Sequence, residues 1–543
     1  MRCRSRLEGY RAFSCTFSTL YPLSSILCLA TLSVAITAPA QAPAQPQAQK
    51  PDQANPAGTI SVTSRLVVLD VVVLDRKGKP VTNLNRSQFT ITEDKAPQTI
   101  RNFDPPSAHA MPAAGEADLV HSVMDLPKIG QAPVDILVLD EVDTPFHQLA
   151  YARQMLQKYL KAQPGVLPIP TLFVAAGYTR VMVLHDYTQS RADLLESVQK
   201  HTADLDFTQI VNTLNGGAGG SDNGLVKTLG AMSQIAQSVA GIPGRKNVIW
   251  VGAGYNKAYD LMNMSERDHD KVLDAIKQVT NRMLQARVTL YIIDPAGPMR
   301  ADTPTDETID PSNVSTSGGD IGDFGDNLGM NTFANNTGGR VITVRNDLDA
   351  QVAQVTQEGA EYYTLAYVPT GESDAAQPFR KIKVTVDAPS LRVVTRQGYF
   401  TIDNPVSQVA LAPKAKQAND VKYDLMSAAR TTMAYTGLHT DARRSKRGYT
   451  VQVNANDLKF AEQPGGSRLA EVTILAVCYN AKGKETAQHA SEMREELAAS
   501  DVIKPDSQVS FAFPMTVPPF TQRVRFVVRD AATGAIGAAN ANP

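Results

Sequence analysis

The first place in this 543-residue chain where side chains could do chemistry is the acidic turn Asp140-Glu141-Val142-Asp143-Thr144, which ends the apolar run VDILVLD (134–140). Thr144 followed by Pro145 reads as an N-cap with proline in the first turn, so a helix is expected to start there. Asp140 and Asp143 would then favour the positive end of that helix. His147 stands beside Asp143, but no nucleophile is nearby, and a solvated histidine is the preferred reading. A second acidic stretch, residues 301–339, holds Asp302, Asp306, Glu307, Asp310, Asp320, Asp323 and Asp326 and neither Lys nor Arg. The spacing of Asp320, Asp323 and Asp326 lacks the calcium-loop pattern of an EF-hand. A solvated insertion is preferred there, an acidic surface for a basic partner being the other reading. Enzyme signatures fail on inspection. Gly219-Gly220-Ser221-Asp222-Asn223 misses the second glycine of a nucleophile elbow. Neither a Walker loop nor a His-Glu-x-x-His motif occurs. Gly216–Gly220 is like a phosphate loop only in composition. The basic run Arg443-Arg444-Ser445-Lys446-Arg447 is read as a solvated turn.

The elements that must position the acidic turn have an α/β texture. VDILVLD (134–140), TLFVAAG (171–177), NVIWVGA (247–253), VTLYIID (288–294) and VITV (341–344) are near-continuous apolar runs, as in strands covered on both faces. RVMVLHD (180–186) follows the second after only two residues, which allows a hairpin but no crossover, so an antiparallel edge is expected. Amphipathic helices are expected between them, carrying Phe146, Leu149, Leu156, Tyr159 and Leu160; Leu225, Leu229, Met232, Ala236 and Val239; Val272, Ile276, Val279 and Met283 after an N-cap at Ser265; and Leu348, Val352 and Val355. Strand–helix alternation over this length implies a doubly wound α/β domain, with ligands beyond the carboxyl ends of the strands.

On either side the texture is β. SRLVVLDVVVLD, QFTITED and QTIRNF precede the α/β stretch, and EYYTLAYVP, FRKIKVTVDA and RVVTRQGYF follow it, with a turn at Gly371. Neither group can close a core alone, so they are expected to complete one sheet system between them. Residues 402–420 read as a polar linker. YTVQVNA, EVTILAVCYN, VSFAFPMTV and QRVRFVVRD then indicate a second all-β domain.

The N-terminus carries Arg2, Arg4, Arg6 and Arg11, an apolar run from Leu20 to Ala38, and the small-x-small triplet Ala38-Pro39-Ala40, which together read as a cleaved export signal. An uncleaved anchor is the alternative, because the apolar run nearly reaches spanning length. Residues 41–58 are mostly Pro, Ala and Gln and should be an extended tether. The whole chain holds 53 basic and 54 acidic residues; losing residues 1–40, with four Arg and one Glu, leaves 49 and 53, a net charge of −4. That balance argues against a general nucleic-acid binder. Cys478 alone of the four cysteines survives cleavage, which excludes an intramolecular disulfide and a cysteine zinc site. Its apolar neighbours place it in a buried strand.

Strand, Asp-rich turn and helix, followed by further strands with their helices, resemble a von Willebrand factor A domain. VVVLDRKGKPVTNLNRSQFTITEDKAPQTIRNF before it, and YYTLAYVP and RKIKVTVDAPSLRVVTRQGYF after it, resemble exported bacterial VWFA-related proteins of acidobacterial type. The resemblance covers about residues 60–400. It implies a VWA-like, Rossmann-type α/β domain (132–360) inserted in a β-sandwich whose halves are 59–105 and 361–401, after a signal (1–40) and a tether (41–58), with a β-sandwich-like domain over 421–543. Many such domains hold Mg²⁺ through Asp-x-Ser-x-Ser, a later Thr and a later Asp. Here the first element maps onto Asp140, Val142 and Thr144, the second onto Thr213 or Ser221, and the third onto Ala253. Val142 and Ala253 supply no side-chain oxygen, so Asp140, Asp143 and Thr144 are residual ligand candidates of a degenerate metal-ion-dependent adhesion site. No cofactor is expected, Mg²⁺ and Ca²⁺ being the alternatives weighed. The resulting expectation is an exported protein, periplasmic, envelope-associated or secreted. It would be non-enzymatic and would bind or scaffold an extracytoplasmic protein partner. It would not bind nucleic acid, and it would touch a membrane only through a retained anchor. A secreted hydrolase with an unrecognised site and a purely structural envelope protein are the alternatives.

Overall fold

The run VVLDVVVL has few polar residues because β1 (Val67–Leu74) is covered on both sides, and the first core of the fold begins there. The computed structural model describes residues 66–543 apart from 114, 116–117, 143, 178–179, 202–220, 253–265, 296–329, 344–346, 371–378 and 401–413. The expected signal and tether lie outside the described residues, as do the expected cap at Ser265 and the expected turn at Gly371. Three short strands follow β1: β2 (Phe89–Glu93), β3 (Ala96–Gln98) and β4 (Ile100–Asp104). The tight turn between β2 and β3 holds Asp94 and Lys95 at φ of 49° and 72°, a left-handed pair of the kind a two-residue hairpin needs.

Next come β5 (Val134–Asp140), β6 (Val166–Ala176), β7 (Val181–Ser190), β8 (Lys246–Val251), β9 (Val288–Asp294) and β10 (Arg340–Thr343). They form one sheet in the order β10-β9-β8-β5-β6-β7. Every neighbouring pair is parallel except β7, which lies antiparallel to β6. The helices of this region are α1 (Phe146–Ala162), α2 (Arg191–Lys200), α3 (Ser221–Ser238), α4 (Glu266–Gln285), α5 (Met330–Asn336) and α6 (Leu348–Ala360). Leu149 and Leu156 of α1 and Val352 and Val355 of α6 pack with Leu137, Phe173, Ile249 and Ile293 on one face of the sheet. Leu229 and Met232 of α3 and Ile276 and Val279 of α4 pack with Ile136, Val138, Trp250 and Leu290 on the other.

The chain then adds β11 (Tyr363–Tyr367), β12 (Phe379–Val386), β13 (Arg392–Val394) and β14 (Gly398–Phe400). These do not pair among themselves alone. β11 lies between β1 and β4, with Leu69 opposite Leu365, and β12 lies between β14 and β2, with Val384 opposite Ile91. The two antiparallel sheets, β13-β1-β11-β4 and β14-β12-β2-β3, enclose a core of Leu69, Val71, Phe89, Ile91, Tyr363, Leu365 and Ile382. Glu93 is buried within it, accepting hydrogen bonds from Tyr367 Oη (2.5 Å), Tyr399 Oη (3.1 Å) and Arg380 Nε (3.1 Å).

Residues 414–430, expected as part linker and part all-β domain, form helix α7 (Lys414–Arg430). After it come β15 (Thr440–Ser445), β16 (Gly448–Asn454), β17 (Ala461–Glu462), β18 (Arg468–Asn480), β19 (Glu485–Leu497), β20 (Gln508–Pro514), β21 (Thr521–Asp530) and β22 (Ile536–Ala541). All their pairings are antiparallel, in one sheet β15-β16-β20 and another in which β18 pairs with β17, β19 and β21, and β21 with β22. Val451, Phe511, Val472, Cys478 and Phe526 share the core of this region, and the Cys478 thiol is buried in β18.

The expected class, a doubly wound α/β domain of von Willebrand factor A type inserted in a β-sandwich and followed by an all-β domain, is corrected by this architecture. Among the described residues the protein is mainly β, with 41% strand against 28% helix. Among the described residues, four of the five sheets are antiparallel throughout. The segments that would have to carry the winding, between β7 and β8, β8 and β9, and β9 and β10, run in part outside the described residues. The physical reason is that a continuous apolar run reports burial on two faces and nothing of how the strands are connected. The core on the α3–α4 side is also shared beyond that layer. It continues through Leu425, Ala428 and Met433 to Leu475, Val477 and Val527 of the C-terminal strands.

Candidate functional site at the carboxyl edge of the parallel strands

Asp140 ends β5 with its side chain fully buried, and its Oδ1 accepts a hydrogen bond from Val142 N at 3.0 Å. That local turn bends the chain off the sheet and points Val142 into the apolar core, where it is 6% exposed. Its isopropyl group therefore packs and ligates nothing. Gly252 follows the neighbouring strand β8 with φ +153°. A Cβ placed on it would stand 2.3 Å from Asp140 Cβ and 2.5 Å from Thr144 Oγ1. Asp140 and Thr144 are thus brought together against a backbone that only glycine can supply. Asp294 ends β9, one strand further along the same edge, and is buried as well.

Thr144 does not cap the helix. The N-cap of α1 is Pro145, whose carbonyl accepts from Leu149 N at 2.9 Å, and the first helical residue is Phe146. The threonine has turned inward to the Gly252 contact, so tertiary packing overrides the local capping pattern. Phe146, in the first turn of α1, lies outside the set of residues that this helix buries. It was expected in the core and is 67% exposed, beside an exposed His147. Asp143, Thr213 and Ala253 lie outside the described residues, as do Gly216–Gly220 and all seven carboxylates from Asp302 to Asp326. Ser221 is the first residue of α3.

Two features of this edge left little sign in the sequence. Glu141 Oε1 meets His201 Nε2, with the glutamate side chain wholly buried and the histidine 9% exposed. This pair ties the acidic turn to the end of α2, and its only signal was the extra acid in the turn itself. Asp294 was visible merely as the last residue of VTLYIID. Among the described residues, no group of three or more His, Cys, Asp or Glu is arranged to hold a metal ion.

A denser polar cluster sits at the opposite end of the sheet, around Arg245-Lys246-Asn247 at the start of β8. Arg245 Nε donates to Asn247 Oδ1 and its Nη2 to Tyr291 Oη, both at 2.9 Å, and Asn247 Nδ2 donates to Asp135 Oδ1 at 2.9 Å. Burial pushes the Asp135 carboxyl up to about 7 against the pull of Asn247, Thr356 and Arg245. Burial likewise brings the Lys246 ammonium down to about 7, and its Nζ donates to Ile242 O at 2.5 Å. Arg245, Asn247, Tyr291 and Asp135 read as one structural network, with Lys246 on the opposite face of the strand. An open surface depression of about 470 Å³ on β2 and β3 carries one ionisable group, Arg86, among its lining residues. The basic run is a surface hairpin in which Arg443 pairs with Asp441 at 2.7 Å and Arg444 lies over the Tyr449 ring.

No family model matches the chain, and no curated protein does either. Among solved structures, the human COPII-coat protein Sec24c is similar over 54% of this chain and 47% of that one, with 8% sequence identity and a TM-score of 0.23. The match spans less than half the length of that protein, and a likeness of this size decides neither fold nor activity.

Proposed function

We propose that this chain is an exported, non-enzymatic protein that binds or scaffolds an extracytoplasmic protein partner, using the carboxyl edge of the parallel strands as its contact face. The observation that carries the reading is Phe146. It is an aromatic side chain two-thirds exposed at the first turn of α1, directly after a turn in which Asp140, Glu141 and Thr144 are buried. An exposed aromatic ringed by polar residues is the usual anchor of a protein interface. The polar residues of the edge act inward: Asp140 holds the turn, Thr144 meets Gly252, and Glu141 meets His201. They leave Phe146 as an outward-facing group beside the exposed His147. The basic n-region and the Ala38-Pro39-Ala40 triplet support export. The sequence resemblance to exported VWFA-related proteins supports binding over catalysis. The test is affinity capture of the chain from its native envelope, compared between the wild type and Phe146→Ala. A protein retained by the wild type and lost with the variant supports the proposal. Identical captures from both, or none, overturn it.

A further inference from the structure

We propose that the chain pairs with a second copy of itself along the outer edge of β19. This thirteen-residue strand pairs with β18 on one side, and among the described residues no strand pairs with its other side. Natural sheets seldom leave so long an edge open, because its row of backbone N–H and C=O groups is a template for another strand. Proline and bulges, two usual protections of an edge, are missing over most of it. β19 contains neither Pro nor Gly, and its one irregularity lies at Thr486, near its start. From Ala487 to Leu497 it runs in unbroken register with Cys478 to Arg468. Charge, a third protection, is present here in both signs, so it admits a partner whose charges run in the reverse order.

The occupant is chosen by that charge pattern. Arg494 and Glu492 project from the same face of β19, two residues apart, as alternation along a strand requires. An antiparallel pairing with a second copy about a two-fold axis at Met493 sets Glu492 opposite the second copy's Arg494, and Arg494 opposite the second copy's Glu492. The overlap runs from His489 opposite Leu497 to Leu497 opposite His489, wholly inside the regular stretch. Ser491 then meets Glu495, and Ala490 meets Glu496, so no glutamate faces a glutamate directly. Arg494 already pairs with Glu471 of β18 at 2.7 Å. The seam would therefore continue an existing charge ladder, with each arginine between its own Glu471 and the second copy's Glu492. A closed two-fold interface of this kind uses up both edges and stops at the dimer.

Sedimentation velocity of the full chain over a micromolar concentration series tests this. The wild type is expected to form a concentration-dependent dimer. Glu492→Arg should weaken it about tenfold or more by setting two arginines opposite each other at both symmetry-related positions. The double variant Glu492→Arg with Arg494→Glu restores opposite signs across the seam and should recover the dimer. Both side chains are exposed, so circular dichroism of the variants should match the wild type. A wild type that stays monomeric overturns the proposal, and so does a dimer indifferent to Glu492→Arg.

Discussion

Arg287 Nη2 stands 2.5 Å from Asp70 Oδ1, joining the turn before β9 to the first strand of the fold across 217 residues of sequence. Thr364 of β11 completes the contact, accepting from Arg287 Nη2 at 2.9 Å and donating to Asp70 Oδ1 at 3.2 Å. Burial alone would raise the Asp70 carboxyl, but attraction to Arg287 and its hydrogen bond together outweigh it and hold the group below the ordinary carboxylate range. Breaking a buried pair leaves a charge without its partner, which costs about 3–5 kcal/mol. Asp70→Asn is therefore expected to lower stability by that order in urea denaturation. The sign of its pH dependence follows from the depressed value. The wild type keeps this stabilisation above the ordinary carboxylate range and loses it as the pH falls through the folded-state value, and the variant should lack that acid-side loss.

Gly252→Ala tests the candidate site from the sheet side. The methyl group would meet Asp140 Cβ and Thr144 Oγ1 well inside van der Waals contact, at a φ that L-residues avoid. Overpacking and backbone strain together should cost about 3 kcal/mol or more. Because the clash falls on the turn directly before Phe146, partner capture should fall along with the urea midpoint. Full stability in the variant would show that the edge is looser than the contact implies.

What could be read from the sequence followed from local pattern. The apolar runs 134–140, 247–251 and 288–294 are strands, Cys478 is in a buried strand, and RVMVLHD pairs antiparallel to the strand before it. The class they belong to was not readable, because burial on two faces does not specify connection and because the strands after 440 shift the balance to β. Helix α7 was missed under a polar composition. Its signal was the stripe Val421, Leu425, Ala428 and Ala429, which packs on Tyr435 and Val477 in the shared core. At the site, the Thr144-Pro145 pattern pointed to a cap, and the contact that won comes from Gly252, distant in sequence. The Glu141–His201 pair needed the same long-range information. Asp70 did leave a mark, as the one charged residue inside VVLDVVVL.

Asp135 sets a second pH dependence, of opposite sense to that of Asp70. It is 3% exposed, and burial pushes its carboxyl up to about 7. A raised acid is favoured in its protonated form in the fold. Its contribution is therefore complete below about pH 4, where the unfolded chain is protonated too, and is lost as the pH rises to about 7. Asp135→Asn keeps an oxygen for Asn247 and removes the proton. The variant should show a flatter profile of melting temperature between about pH 4 and 7 and a higher melting temperature at neutral pH. An unchanged slope would mean that Asp135 is ionised in the fold across that range.

Asp140 is expected to act on the turn and not through a metal ion. Magnesium takes near-octahedral oxygen coordination and usually one or two carboxylates from the protein. Asp140 spends Oδ1 on Val142 N, Val142 itself is packed in the core, and Thr144 is turned onto Gly252. The hydrogen bond from Val142 N gives the carboxylate a role in holding the turn. Asp140→Ala should then cost about 2 kcal/mol, the value of a buried hydrogen bond to a charged acceptor, whether or not metal is present. The wild-type melting temperature should be the same in Mg²⁺ and in a chelator, and calorimetric titration with Mg²⁺ should give no heat that depends on Asp140. A melting temperature raised by Mg²⁺ in the wild type but not in Asp140→Ala would instead establish a working metal site at this edge. Asp294, one strand further along it, would then be the next residue to change.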